Sequence, residues 1–270
     1  MSALPKLAGF AAALGVLFGV GALAGALFEP DAPRAEEPMT EMTEMTDPVR
    51  GLAVAENGLR LQIDTPEPRA GTVRFRILDE AGKAVRHFDV EHTKRMHVIV
   101  VRRDLTGFQH LHPTQAADGS WSAPLAHTEP GSYRLFADFS RGGEATTLAG
   151  DLRVDGPADL KPLAEPASIA TAAGGYEVEL DAQDVRAGRE ADLRFTITRD
   201  GRPVRTEPYL GAGGHLVALR EGDLAYLHVH PTDGVGFEAT FPTEGRYRLF
   251  LQFQHEGRVR TAAFTLEVGR

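Results

Sequence analysis

Two sets of three histidines recur at one spacing in this 270-residue chain. In each set, a His-x-His pair is followed by proline, and a third histidine stands 13 residues upstream of the pair. The six residues are His97, His110 and His112 in the first set and His215, His228 and His230 in the second. Three converging imidazoles suit Zn²⁺, Cu²⁺ or Ni²⁺. The spacing therefore predicts two metal sites of the same kind.

The first set lies on a predicted β-hairpin. Side chains alternate along a strand, so His110 and His112 point to one face and Leu111 to the other. If strand pairing is centred between residues 104 and 105, His97 lies directly across from His112. Opposed Cβ atoms are about 4.5–5.5 Å apart, close enough for two imidazoles to share an ion. A slip of one residue would send His97 to the other face.

The second set predicts the same hairpin. Pairing centred between Gly222 and Asp223, a good two-residue turn, places His215 across from His230. Leu227 and Val229 then point to the core, and His228 and His230 point away from it.

A structural interpretation of the histidines stays open. A His-x-His pair on a half-exposed strand can be a hydrogen-bonded feature, and internal duplication copies whatever was there. Asp138 is a further candidate ligand in the first copy only, because Gln252 holds the matching position. The remaining histidines have no matching partners, and we expect them at the surface: His87, His92, His127 and His255.

A methionine triplet, Met39, Met42 and Met45, lies in "MTEMTEMT". Thioethers are soft ligands that suit Cu(I), whereas imidazole suits Cu(II). A chain with both indicates copper handling, with zinc or nickel as alternatives. The triplet also fits a drifting tripeptide repeat in a linker.

The composition excludes several function classes. The chain has no cysteine, which rules out disulfides, thiolate metal sites and cysteine nucleophiles. Its net charge of −9 argues against nucleic acid and anionic lipid headgroups as partners. We find no Ser/His/Asp grouping, phosphate loop or dinucleotide fingerprint, so we expect a protein that is not an enzyme.

The N-terminal segment, residues 1–28, predicts a membrane anchor. Leu7–Phe28 has no charged residue and forms about 33 Å of helix at about 1.5 Å per residue, enough to span a bilayer. Lys6 precedes it and Glu29 follows, so the positive-inside rule places the rest of the chain outside the cytoplasm. A cleaved signal peptide ending near Ala26 is the alternative.

The rest of the chain predicts two tandem β domains. Residues 29–50 form an acidic, methionine-containing linker without aromatic residues, expected to be disordered. Two self-similar segments follow, residues 51–156 and 174–270, joined by a Pro/Ala-rich linker at 157–173. Their short strands, separated by turn signals, are typical of immunoglobulin-like or cupredoxin-like β-sandwiches.

Two stretches carry a resemblance to known proteins: "MHVIVVRRDLTGFQHLHP" and "YLGAGGHLVALREGDLAYLHVHP". They resemble an uncharacterised group of membrane-anchored, two-domain proteins of high-GC Gram-positive bacteria, of the type labelled heavy-metal-binding-domain proteins. That resemblance implies the fold and the location. The chain is more distantly similar to periplasmic copper-resistance carriers. Those carriers often use the mature N-terminal amine as a ligand, which an uncleaved anchor would not provide.

Together these patterns predict an extracytoplasmic, membrane-anchored metal binder. We expect each domain to hold its own ion for sequestration, delivery or sensing, and binding to weaken as pH falls through about 6.5. The alternative is an immunoglobulin-like adhesion or assembly module with structural histidines. The protein partner and the oligomeric state stay open.

Overall fold

The described part of the chain is built from β-strands. The computed structural model describes residues 49–65, 71–126, 128–227 and 229–270. The predicted anchor, residues 1–28, and Met39, Met42 and Met45 lie outside these ranges. Within them, no helix is long and apolar enough to cross a membrane.

The first repeat forms two antiparallel sheets. Its strands are β1 (Ala55–Glu56), β2 (Leu59–Ile63), β3 (Gly71–Leu78), β4 (His97–Arg102), β5 (Gln109–Leu111), β6 (Thr114–Gln115), β7 (Trp121–Leu125), β8 (Gly131–Arg141) and β9 (Glu144–Val154). One sheet has the order β1-β2-β3-β7-β6, and the other has the order β5-β4-β8-β9. The chain crosses between the sheets after β3, after β5 and after β7, as in a Greek-key sandwich.

The second repeat has the same plan. Its strands are β10 (Ile169–Ala172), β11 (Tyr176–Asp181), β12 (Glu190–Arg199), β13 (Arg202–Pro203), β14 (His215–Arg220), β15 (Tyr226–Leu227), β16 (His230–Pro231), β17 (Gly236–Thr240), β18 (Gly245–His255) and β19 (Arg258–Val268). One sheet has the order β10-β11-β12-β17-β16, with β13 paired to β12, and the other has the order β15-β14-β18-β19. Strand β10 lies at the end of the segment predicted as a linker.

Each sandwich has its own apolar core. In each sandwich, a tyrosine at a matching position forms a hydrogen bond with the backbone. Tyr133, early in β8, donates its hydroxyl hydrogen to the carbonyl oxygen of Glu129 at 2.8 Å. Tyr247, early in β18, donates to the carbonyl oxygen of Thr243 at 3.0 Å. A tyrosine that bonds to the backbone a few residues upstream is typical of immunoglobulin-like folds. The predicted all-β, two-sandwich fold is confirmed.

The register of both predicted hairpins is correct. In β4–β5, Ile99 lies across from His110, and in β14–β15, Ala218 lies across from Leu227. The two-residue turn predicted in the second copy is wrong. The ladder ends where the amide of Arg220 donates to the carbonyl oxygen of Ala225 at 3.0 Å. Asp223 stabilises this wider loop by accepting bonds from the Arg220 side chain and the Ala225 amide.

Strands β4 and β14 are apolar on both faces. Val98 and Val100 pack in the core of the first sandwich, whereas Ile99 and Val101 point the other way. In β14, Leu216 and Ala218 pack inward, and the alternate residues join those of β4. This third apolar cluster contains Ile99, Val101, Leu105, Phe136, Ala149, Val217, Leu219, Leu224, Tyr226 and Phe250. The two four-stranded sheets therefore pack against each other across the repeats.

The contact between the repeats is nearly two-fold symmetric. The rings of Phe108 and Phe250 lie parallel with centres 4.1 Å apart, and those of Tyr226 and Phe136 lie 5.5 Å apart. Phe108 is the counterpart of Tyr226, and Phe136 is the counterpart of Phe250 in the aligned repeats. Exchanging the two repeats therefore turns one ring contact into the other. An interface with this property is isologous.

Phe136 tests whether this interface stabilises the fold. Its side chain is fully buried between the repeats. We expect Phe136→Ala to lower the free energy of unfolding by about 3–5 kcal/mol, because it leaves a cavity in a packed interface. Urea unfolding followed by circular dichroism measures this loss. Val259→Ala, at a side chain that is 42% exposed, is the control and should change little. Equal effects of the two substitutions would contradict the packing described here.

Candidate metal centre

The first histidine set lies at one end of the interface between the repeats. His97 begins β4 with the parity of Ile99 and Val101, so its side chain points toward the second repeat. His110 lies across from Ile99, on the same face. Leu111 packs against the core of the first sandwich. The predicted alternation is therefore correct, but the histidine face meets the other sandwich.

The three side chains converge. His97, His110 and His112 each offer one ring nitrogen, and these nitrogens lie within 4.8 Å of one another. The ring centres are 5.3 Å apart for His97 and His110, 5.2 Å for His97 and His112, and 4.7 Å for His110 and His112. His97 is 4% exposed, and the other two are half-buried. The rigid sheet thus brings together the ligands predicted from the spacing.

Hydrogen-bond partners orient two of the rings. Nε2 of His97 lies 3.3 Å from the carbonyl oxygen of Glu91. Nδ1 of His110 lies 2.6 Å from Oε1 of Gln252. The amide of Gln252 is oriented by donation from its Nε2 to Thr261 Oγ1 at 3.4 Å. In the tautomers that carry a proton on both of these nitrogens, each ring donates outward, as is usual for the outer nitrogen of a metal-bound histidine.

The inner nitrogens of the same two rings face each other. Nδ1 of His97 lies 3.0 Å from Nε2 of His110. A neutral imidazole carries one proton, so in those tautomers neither inner nitrogen carries one. Two lone pairs then meet at hydrogen-bond distance, which is unfavourable unless a cation lies between them. The arrangement fits a metal ion, which would be bound by both inner nitrogens.

Burial keeps these imidazoles neutral. Desolvation lowers the pKa of His97 to about 4, and the backbone bond to Glu91 opposes it only in part. Desolvation and the neighbouring His97 lower the pKa of His110 to about 3. Desolvation lowers the pKa of His112 to about 4. A neutral ring has the lone pair that a metal needs, so near neutral pH all three can act as ligands.

The third ligand atom is also identifiable. Nε2 of His112 is buried and has no hydrogen-bond partner among the described residues. An unsatisfied buried polar atom costs about 1–3 kcal/mol. A metal ion held with His97 and His110 would satisfy it.

The second histidine set is arranged differently. His215 begins β14 and points into the interface between the repeats. His230 lies in β16, which pairs with β17 in the other sheet, and its side chain is exposed. His228 lies outside the described residues, as does His127. The second three-histidine site therefore stays a prediction.

Sequence reasoning missed two residues beside the site. Gln252 comes from the second repeat, and its role depends on packing that the sequence pattern of one repeat cannot show. His92 was expected at the surface but is half-buried, with its ring centre 6.1 Å from that of His97.

Asp138 pairs with His97 across β4–β8, and its carboxylate accepts a bond from Thr147 Oγ1 at 2.6 Å. Burial is the main cause that raises the pKa of Tyr226, and the negative charge of Asp138 raises it further.

Solved structures with likeness to the chain are distant. InvD of Yersinia pseudotuberculosis is 15% identical, with 79% of this chain and 58% of InvD covered and a TM-score of 0.26. The bacterial integrin-binding protein invasin is 11% identical, with coverage of 80% and 40% and a TM-score of 0.25. The fibronectin(III)-like modules of Clostridium thermocellum CbhA are 11% identical, with coverage of 77% and 94% and a TM-score of 0.23. The chain thus spans less than two thirds of the first two proteins.

Among curated proteins, none matches this sequence. One domain family does match, described as a domain of unknown function, DUF8832, and it matches twice, at residues 53–156 and 170–270. Because the two matches together cover more than half of the chain, the protein belongs to this family and carries its domain in two copies.

Proposed function

We propose that this protein binds a transition-metal ion at His97, His110 and His112. The proposal rests on the contact between His97 and His110, whose inner ring nitrogens lie 3.0 Å apart. The outer nitrogen of each of these rings faces a hydrogen-bond acceptor. Binding of an ion removes the repulsion between two lone pairs and satisfies the buried His112 nitrogen. Neither gain needs a large rearrangement of the sheet.

Copper is the ion that we expect, with zinc and nickel as alternatives. Imidazole nitrogens bind all three ions, so the triad alone does not distinguish them. The methionine triplet at Met39, Met42 and Met45 favours copper, since thioethers suit Cu(I).

The proposed setting is outside the cytoplasm, with the chain anchored in the membrane. The uncharged segment Leu7–Phe28, followed by acidic residues, supports this location. In that setting the protein would sequester, deliver or sense the ion. We propose binding rather than catalysis, because the sequence offers no acid/base group that is paired with the histidines in both copies.

An immunoglobulin-like adhesion or assembly module is the second candidate. It would need histidines that point apart or that are each satisfied by backbone carbonyls. One observation favours it in part, since the carbonyl oxygen of Glu91 lies close to His97 Nε2. The convergence of three rings on one another favours metal binding instead.

The double substitution His110→Ala and His112→Ala tests the triad. We expect the full chain to bind Cu²⁺, Zn²⁺ or Ni²⁺ more tightly than millimolar and the variant to lose one equivalent. An ion that binds only the native state also stabilises it, by about 2.7 kcal/mol at 100 times the dissociation constant. Isothermal titration calorimetry and thermal unfolding measure both effects.

The matched control is His228→Ala with His230→Ala. If a second site exists, the control removes a different equivalent and leaves the first intact. Should the unmodified chain bind none of the three ions more tightly than about millimolar, the metal proposal is wrong.

The pH dependence of binding separates a buried triad from a solvated one. The pKa values of His97 and His112 are about 4 and that of His110 is about 3. In the folded protein without metal, these three imidazoles therefore stay neutral down to pH 5.5. We therefore expect Zn²⁺ affinity to be nearly equal at pH 7.5 and 5.5 and to fall below about pH 4.5. Calorimetry at both pH values, in two buffers of different ionisation enthalpy, should detect almost no proton release.

This expectation replaces the one drawn from the sequence, in which binding weakens near pH 6.5. Solvated histidines with ordinary pKa values would lose about tenfold in affinity per ligand between pH 7.5 and 5.5. A loss of that size would show that the triad is open to water.

A further inference from the structure

We infer that His215 is a fourth ligand of the same ion, so that the two repeats hold one metal between them. The inference rests on the proposed metal binding at His97, His110 and His112. It adds a ligand from the second repeat and changes the expected stoichiometry from one ion per repeat to one shared ion.

Ring positions support a shared ion. The ring centre of His215 lies 4.7 Å from that of His110 and 5.6 Å from that of His97. Two imidazoles bound to one tetrahedral ion at about 2.0–2.1 Å have ring centres about 5 Å apart. The distances from His215 to these two rings are therefore close to this value, whereas the ring nitrogens that already lie within 4.8 Å of one another are those of His97, His110 and His112.

His215 has a nitrogen that lacks a partner. Its Nε2 is buried and has no hydrogen bond among the described residues. The same holds for Nε2 of His112. An ion bound by His97 and His110, which neighbour both residues, would satisfy these two nitrogens if it bound them as well.

The second repeat already contributes to the site. Gln252, which is across from His215 in β14–β18, accepts the hydrogen bond from His110. A cavity of about 20 Å³ lies beside the cluster, and residues of both repeats line it, among them His97 and His215 but not His110 or His112.

The packing of the repeats explains why His215 lies near the first histidine set and not near His230. The register of β14–β15 extends in principle to His215 and His230, but β15 ends at Leu227. His230 continues into the opposite sheet. Since His215 is the counterpart of His97, the two-fold packing of β4 on β14 brings these two rings together.

A shared ion would act as a clamp between the sandwiches. It would bind a hairpin of the first repeat to the first residue of β14, at the edge of the apolar cluster between the repeats. Metal binding would then stabilise the interface itself, and release of the ion would loosen one repeat from the other.

The test uses the full chain with Zn²⁺ and compares His215→Ala with His230→Ala. We expect one tightly bound zinc in the unmodified protein, with four imidazole ligands by X-ray absorption. The His215→Ala variant should retain three imidazoles and lose more affinity than the about 10–100-fold that removal of an outer partner costs. The His230→Ala variant should behave like the unmodified protein.

A folding control keeps the test decisive. His215→Gln retains a polar side chain of similar reach, and the apo thermal transition of both variants shows whether the interface is intact. Zinc bound equally well by a folded His215→Ala or His215→Gln variant would overturn the shared site and leave the triad standing. Two equivalents in the unmodified protein, one of them lost in His230→Ala, would also overturn it. If the unmodified protein binds none of Zn²⁺, Cu²⁺ and Ni²⁺ tightly, the triad and the shared site are overturned together.

Discussion

The packing of β4 against β14 is the constraint on which the candidate site depends. Each strand is apolar on both faces, so each must contact a second apolar surface outside its own sandwich. The duplicated chain supplies that surface from its other repeat. Because the two surfaces are copies of each other, they pack about an approximate two-fold axis, and matching residues approach one another. His97 and His215 are such a pair.

Burial at this interface determines the chemistry of the histidines. Desolvation lowers their pKa values, so the rings carry lone pairs instead of protons near neutral pH. A neutral acceptor at Gln252 orients His110 without adding a negative charge. A carboxylate at that position would favour the imidazolium form and raise the pKa of His110. The amide therefore suits a site in which the ring must stay neutral.

Much of the site could be predicted from local rules. Strand alternation placed His110 and His112 on the face opposite Leu111, and the hairpin register placed Ile99 across from His110. Both depend on residues close in sequence. The loop in the second copy was predicted less well, because the Asp223 carboxylate stabilises a conformation with Leu224 at a φ of 61°. Side-chain caps of this kind override the preference for a tight turn.

The contact between the repeats was the part that local rules could not supply, although the sequence contains a sign of it. Residues 98–101 and 216–219 are apolar at every position, a pattern typical of strands buried on both faces. An alternating pattern would have indicated a solvated outer face. His97 and His215 stand at the start of such runs, so their side chains contact protein instead of water. In this protein the face that carries His97 and His110 and the face that joins the repeats are one surface, and Gln252 of the second repeat contacts His110 there.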